Sequence, residues 1–158
     1  MRRTFITGYD GSPASRAALS HALDRAGPEG LVVVVHAASL PAEALGAGYY
    51  APALDSVMAH GRVLLDGIEQ VDPRVAAQEV RTELVTADPA SALTAIARTH
   101  GADGIIVGTR GFGRARALLG SVAHELIHKA ECPVTVIPER AVVRDRMGGT
   151  RMALSHTA

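Results

Sequence analysis

Short aliphatic runs alternate along this chain with stretches whose apolar positions recur at helical spacing, the pattern of strands followed by helices. We expect strands at residues 4–9, 31–35, 80–85, 104–108 and 133–137. Helices are expected from Pro13 to near Gly27, over residues 52–70, after Asp88-Pro89 and over residues 121–130. Residues 38–50, rich in Ala, Gly and Tyr, are expected to form a loop.

This order of elements predicts an α/β fold: a five-stranded parallel sheet with helices on both faces. Residues 31–35 are aliphatic without alternation, as expected for a central strand that is buried on both faces. The pairs Ser12-Pro13 and Asp88-Pro89 are typical helix starts, in which a capping side chain precedes a proline at the first helical position.

Length and composition restrict the class of protein. At 158 residues the chain is expected to be one domain over residues 1–138, with an Arg-rich tail over residues 139–158 that is extended or disordered. The formal net charge of zero argues against non-specific binding to nucleic acid or to an anionic membrane. The sequence has one cysteine and no recognisable signal peptide or membrane span, so we expect a cytoplasmic protein.

Residues 104–122 carry the strongest functional signal. The aliphatic strand ends at Gly108, a loop with Gly111 and three arginines follows, and Gly120-Ser121 then opens a helix. Backbone N–H groups of such a loop converge with the positive end of the helix dipole, and glycine lets the backbone approach an anion closely. The sequence therefore predicts binding of a phosphorylated small molecule.

The motifs together resemble those of the universal stress protein family. They are Asp10-Gly11-Ser12 after the first strand, the glycine loop with Gly120-Ser121-Val122, and Cys132-Pro133-Val134 before the last strand. The resemblance implies a sheet of order 3-2-1-4-5, as in the adenine-nucleotide-hydrolase-like superfamily. In such a sheet the ligand lies where strands 1 and 4 end. The segment between Gly111 and Gly120 is one residue shorter than in the family's ATP-binding subgroup.

Residue by residue, the resemblance implies a nucleotide site. Asp10 would accept hydrogen bonds from the ribose hydroxyls beside Gly8, and Ala37 and Val107 would line the adenine slot. Arg114 and Arg116 would add side-chain contacts. The phosphates would be held by two sets of residues, the loop residues Gly108, Arg110 and Gly111 and the helix-start residues Gly120, Ser121, Val122 and Ala123.

The function implied by the resemblance is that of a regulator or binding module of the stress response. It would bind ATP, or ADP or AMP, together with Mg²⁺, and hydrolyse ATP slowly at most; no catalytic residue and no resident metal are assigned. A homodimer is implied through the last strand. There Val134 and Val136 would form an apolar edge that needs covering.

Other interpretations stay open at this point. A stress protein that binds no nucleotide and acts as a dimer with unknown protein partners is one. A zinc hydrolase built on His124-Glu125-x-x-His128 is another, although Val122, Ala123, Leu126, Ile127 and Ala130 form an apolar stripe that leaves both histidines on the opposite, solvated face. His36 is either a structural histidine or a ligand contact, and Cys132 is interpreted as a small core residue.

Overall fold

The computed structural model describes residues 1–40, 46–109 and 119–139, with only the backbone of residues 46–49. It forms a five-stranded parallel sheet of order β3-β2-β1-β4-β5, which confirms the predicted fold class and strand order. The strands are β1 (Thr4–Gly8), β2 (Leu31–Ala38), β3 (Glu79–Thr86), β4 (Gly104–Gly108) and β5 (Val134–Ile137).

Strand ends differ from the prediction by a few residues. The second strand runs on to Ala38 because Ala37 and Ala38 still pair with Val85 and Thr86 of β3. The first strand stops one residue early, at Gly8, although the N–H of Tyr9 still donates to the carbonyl of Val35 at 2.8 Å.

The helices are α1 (Pro13–Ala26), α2 (Gly46–Asp66), α3 (Ile68–Val71), α4 (Pro89–His100) and α5 (Ser121–Lys129). Both predicted capping pairs are confirmed, since Ser12 and Asp88 accept hydrogen bonds from Ser15 and Ser91 at the two helix starts. A short 3-10 helix, Pro73–Ala76, precedes β3.

The predicted loop over residues 38–50 is wrong for residues 46–50, because α2 begins at Gly46 and contains Pro52 in its interior. An interior proline removes one backbone hydrogen bond and lowers helix stability, but α2 continues through Pro52. The helix predicted over residues 52–70 is also interrupted, since α2 ends at Asp66 and α3 begins after Gly67. Residues 41–45 lie outside the described residues.

Two hydrophobic cores cover the two faces of the sheet. Along β2, Val32 and Val34 pack with α1, α2 and α3, whereas Val33 and Val35 pack with α4 and α5. These four valines are at most 1% exposed. Burial on both sides is the reason why this strand reads as a continuous aliphatic run.

Arg74 joins the 3-10 helix to α1. Its guanidinium pairs with Asp24 and donates to Asp72 Oδ2 and Ser20 Oγ, both at 2.7 Å. The hydrogen bonds from Arg74 hold the pKa of Asp72 below its usual value, against the opposing effect of burial. This cluster fixes the chain segment that leads into the edge strand β3.

The outer strands of the sheet are β3 and β5. On α5, Ile127 is 54% exposed, so its predicted place in the buried stripe of that helix is wrong. Ala123 and Leu126 already fill the contact between α5 and the sheet, and Ile127 is turned away from it. Cys132 is half-buried against the same core, and burial raises the pKa of its thiol.

Residues 140–158 lie outside the described residues, and with them nearly all of the predicted tail. Among the helices that the structure describes, none combines the length and apolar character needed to cross a membrane.

Candidate functional site

A cleft of about 280 Å³ opens where β1, β2 and β4 end, at the point where the strand order reverses. This is the place where parallel α/β sheets bind their ligands. Six of the predicted site residues line it: Gly8, Asp10, Ala37, Val107, Gly108 and Val122. His36, which the sequence left open as a possible ligand contact, also lines it. Five further lining residues were not assigned to the site from the sequence: Tyr9, Ser15, Val35, Pro89 and Leu93.

A tight turn places Asp10 at the mouth of β1. Gly11 has a φ of +80°, a conformation that favours glycine, and Asp10 Oδ1 accepts a hydrogen bond from the N–H of Ser12 at 2.9 Å. The N–H of Asp10 is in turn 3.4 Å from Ser15 Oγ. The hydrogen bond from Ser12 thus holds the carboxylate in place through Oδ1, and Asp10 itself lines the cleft.

His36 holds the backbone next to that turn. Its Nδ1 lies 2.8 Å from the carbonyl oxygen of Tyr9, so Nδ1 carries the proton and donates. The ring also packs against α2, because a Cβ built on Gly61 would lie 2.6 Å from His36 Cδ2. His36 is therefore a structural histidine that also lines the cleft. A polar residue at the end of an aliphatic strand was the only sequence signal for it.

Gly8 and Gly108, which both line the cleft, are glycines for different structural reasons. A Cβ on Gly8 would lie 3.2 Å from Leu93 Cδ1 and 3.5 Å from Val107 Cγ1, so a side chain there would enter the apolar part of the cleft. A Cβ on Gly108 would lie 2.7 Å from the carbonyl carbon of Ala14 in α1. Gly108 is therefore required for packing, because α1 crosses the end of β4 too closely to leave room for a side chain.

The start of α5 borders the cleft through Val122. Its N-cap, Gly120, provides no side-chain hydrogen bond, and the N–H of Gly120 donates to Thr109 at 2.7 Å. Ser121 is exposed and Ala123 is buried beneath the helix, so neither lines the cleft as described. The first-turn N–H groups of a helix have no intrahelical partners, and they favour an anion.

The predicted phosphate loop falls largely on residues 110–118, which lie outside the described residues. Arg110, Gly111, Arg114 and Arg116 are in this segment. The roles assigned to them from the sequence stay predictions.

Among the described residues that line the cleft, Asp10 is the only one with an acidic or basic side chain apart from His36. Burial raises the pKa of the Tyr9 phenol, and the guanidinium of Arg16 acts in the opposite direction. Asp88, the cap of the helix that contributes Pro89 and Leu93, has a lowered pKa, chiefly because it accepts a hydrogen bond from the N–H of Ser91. The part of the cleft that the structure describes is thus mainly apolar, and Asp10 supplies its carboxylate.

The His124-Glu125-x-x-His128 motif lies away from the cleft, on the exposed side of α5. In the part of the chain that the structure describes, no cluster of three or more His, Cys, Asp or Glu side chains could hold a metal ion. A zinc hydrolase needs three protein ligands and an enclosed substrate site, and neither is present among these residues.

Comparison with known proteins gives consistent results. A universal stress protein of Thermus aquaticus is 30% identical over 146 residues, which cover 87% of this chain and 99% of the relative. A universal stress protein from Archaeoglobus fulgidus, solved in complex with dAMP, has a TM-score of 0.62 at 24% identity and covers 87% of this chain and 99% of its own. A further universal stress protein, solved in complex with cAMP, has a TM-score of 0.60 at 22% identity, with coverages of 87% and 98%.

At 22–24% identity, the two solved structures show that the fold is shared. Family membership is shown by the sequence comparisons, namely the Thermus aquaticus relative and the family model. The model of the universal stress protein family matches residues 1–138, which span all five strands and all five helices described above. The chain therefore belongs to the universal stress protein family.

Proposed function

We propose that this protein binds an adenine nucleotide, ATP foremost and ADP or AMP as alternatives, in the cleft between β1 and β4. The observation that carries the proposal is the carboxylate of Asp10, which is anchored by Ser12 and lines the cleft beside the apolar side chains of Leu93 and Val107. In nucleotide-binding α/β proteins, a carboxylate commonly binds the ribose by accepting hydrogen bonds from its hydroxyl groups. The complexes of two structural neighbours with cAMP and dAMP support this ligand class.

The cleft divides into parts that match the parts of a nucleotide. Ala37, Leu93 and Val107 form its apolar region, suited to a flat base, and Asp10 lies beside Gly8 for the ribose. The phosphates would extend toward Gly108 and the uncapped start of α5. Arg110 and Gly111, with Gly120 to Ala123, would complete this part, and a Mg²⁺ ion would accompany ATP.

The function that we propose is regulatory binding rather than rapid turnover. Among the described residues that line the cleft, Asp10 is the one carboxylate, and its Oδ1 already accepts from Ser12. His36 donates its Nδ1 proton to Tyr9 and packs against Gly61. Neither group is held ready to activate water at the phosphate end, so ATP hydrolysis is expected to be slow. Nucleotide occupancy would then control the binding of partner proteins.

We also propose a homodimer through β5. This strand pairs with β4 on one side and is the outermost strand of the sheet, with Val134 and Val136 half-buried and Thr135 exposed. Ile127 adds exposed apolar surface to the helix beside it. An edge strand with apolar side chains is stabilised when another strand covers it.

The test begins with freshly purified protein, which is denatured so that any released nucleotide can be identified by chromatography. Titration calorimetry with ATP and Mg²⁺, ADP, AMP and cAMP follows on the emptied protein. Co-purified adenine nucleotide, or a dissociation constant in the micromolar range, supports the proposal. A protein that is isolated empty and gives no heat with any of the four ligands would refute it and favour a nucleotide-free dimer.

A further inference from the structure

Two histidines lie side by side on the solvent face of α5, and the nucleotide cleft does not involve them. His124 and His128 are one helical turn apart and both are exposed. Their ring centroids are 5.0 Å apart, and the ring planes are inclined at 66°. Residues at positions i and i+4 of a helix are neighbours on its surface, so the helix itself maintains this arrangement.

The separation of the rings matches that of two imidazoles that bind one metal ion. A divalent ion such as zinc lies about 2.0–2.1 Å from a histidine nitrogen, and so about 3.2 Å from the ring centre. At a tetrahedral angle, two such rings have their centres about 5.2 Å apart. The measured 5.0 Å is close to this separation, so rotation about the side-chain torsions can turn one nitrogen of each ring toward a common ion.

The neighbouring side chains define what kind of ligand fits. Glu125 accepts a hydrogen bond from Lys129 Nζ at 3.1 Å, so its carboxylate is engaged along the helix. No third His, Cys, Asp or Glu joins the pair among the described residues. The other coordination positions of an ion are thus open to water. Imidazole nitrogens favour zinc, nickel and copper over magnesium and calcium, which prefer oxygen ligands.

We propose that His124 and His128 form a two-histidine site for one divalent transition-metal ion on the surface of α5. The site binds the ion and does not perform hydrolysis, since both histidines face solvent rather than an enclosed substrate site. By joining two successive turns, the ion stabilises the helical conformation of a segment that is only nine residues long.

The test is titration calorimetry of the metal-free, full-length protein with NiCl₂ and, separately, with ZnCl₂. The wild type is expected to bind one ion at this site, and His124→Ala or His128→Ala is expected to weaken that binding at least tenfold. Thermal unfolding of the wild type, and not of these variants, should shift upward with added nickel, because a ligand of the folded state stabilises it.

Two controls separate chelation from binding to any exposed histidine. His60→Ala removes a single exposed histidine from α2 and should leave the affinity unchanged. The double variant His128→Ala/Lys129→His keeps two imidazoles on α5 but places them five positions apart, where they cannot share an ion, and should bind as weakly as His128→Ala. Equal affinity in the wild type, His128→Ala and the double variant would overturn the proposal.

Discussion

Gly108 lies directly beneath Ala14, so close that a Cβ on the glycine would come within 2.7 Å of both the carbonyl carbon and the Cβ of Ala14. The first turn of α1 thus rests on the end of β4. That turn follows immediately after the segment that contains Asp10. A change in the packing at Gly108 would therefore also displace the turn that carries Asp10.

Replacing Gly108 with Ala should destabilise the fold. The added methyl group meets helix backbone, which cannot move aside as a flexible side chain would, and overpacking of this kind costs about 1–3 kcal/mol. Urea unfolding measures the loss. Gly67→Ala is the control, because Gly67 has a φ of −87° and its nearest contact to a new Cβ is 3.3 Å. Equal unfolding midpoints for the two variants would contradict the packing argument.

Asp10→Asn should weaken nucleotide binding while the fold is kept. The amide oxygen can still accept from the Ser12 N–H, but the second oxygen and the charge are lost. Hydrogen bonds to a charged group are worth about 1.5–3 kcal/mol, so we expect a loss of affinity of about 10- to 100-fold in calorimetry. Asp66→Asn, at an exposed position at the end of α2, is the control. Unchanged affinity in the Asp10 variant would remove the carboxylate from the site.

Gly120→Glu should abolish nucleotide binding through its charge. The φ of −63° and ψ of 154° at Gly120 are accessible to any residue, so both Gly120→Glu and Gly120→Gln should fold. The two side chains have nearly the same shape, but only glutamate repels phosphate at the start of α5. Circular dichroism checks the fold and calorimetry the binding. Wild-type affinity in the Gly120→Glu variant would show that the phosphates lie elsewhere.

Arg74→Gln should destabilise the protein by about 1.5–3 kcal/mol at neutral pH, since it removes charged hydrogen bonds to Asp72. The lowered pKa of Asp72 means that its stabilising contribution is present above the pKa of the unfolded chain, about 3.9, and is lost as the pH falls through the lower folded value. Urea unfolding of wild type and variant should therefore differ at pH 7 and converge at acid pH.

The matched control for this pH series is Arg81→Gln, which breaks the exposed pair of Arg81 with Glu79. Exposed ion pairs contribute little, so this change should cost under about 1 kcal/mol at pH 7. A difference between wild type and Arg74→Gln that stays constant at every pH would contradict the role of the Asp72 carboxylate.

Thr135→Lys should convert the proposed dimer into a monomer. Thr135 is exposed in the middle of the outer strand β5, and lysine at a sheet edge opposes pairing with a second strand. Light scattering of wild type and variant gives the mass directly. Thr86→Lys, at an exposed position of the opposite edge strand, is the control. A wild-type monomer, or a dimer that survives the Thr135 change, would refute the β5 interface.

The fold was predictable because local signals agreed with one another. The valines of β2 required burial on both faces, and the caps at Ser12 and Asp88 gave the starts of two helices. The start of α2 was not predictable, because Pro52 is a good first helical residue and nothing in the sequence shows that the helix has already begun. The exposure of Ile127 was not predictable either. Helical spacing shows which side of a helix is apolar, but not how much of that side is buried against the sheet.

The candidate site was predicted only in part, and for a physical reason. Asp10 and Gly108 belong to motifs, so their sequence spacing indicated them. Ser15 and Leu93 reach the cleft because α1 and α4 both begin near it, and no local pattern records that meeting. His36 was indicated only as a polar residue at the end of an aliphatic strand. The sequence explained Gly108 only by its approach to an anion. The structure adds that Ala14 of α1 leaves no room for a side chain there.

The walls of the cleft come from both layers of helices, with Ser15 of α1 on one face of the sheet and Leu93 of α4 on the other. A molecule seated there would touch both layers at once, and neither layer could separate from the sheet without releasing it. Its effect on backbone amide exchange would therefore extend to the buried strands between the layers, far from the atoms that it contacts. Slower amide exchange throughout the domain would therefore show that the cleft is occupied.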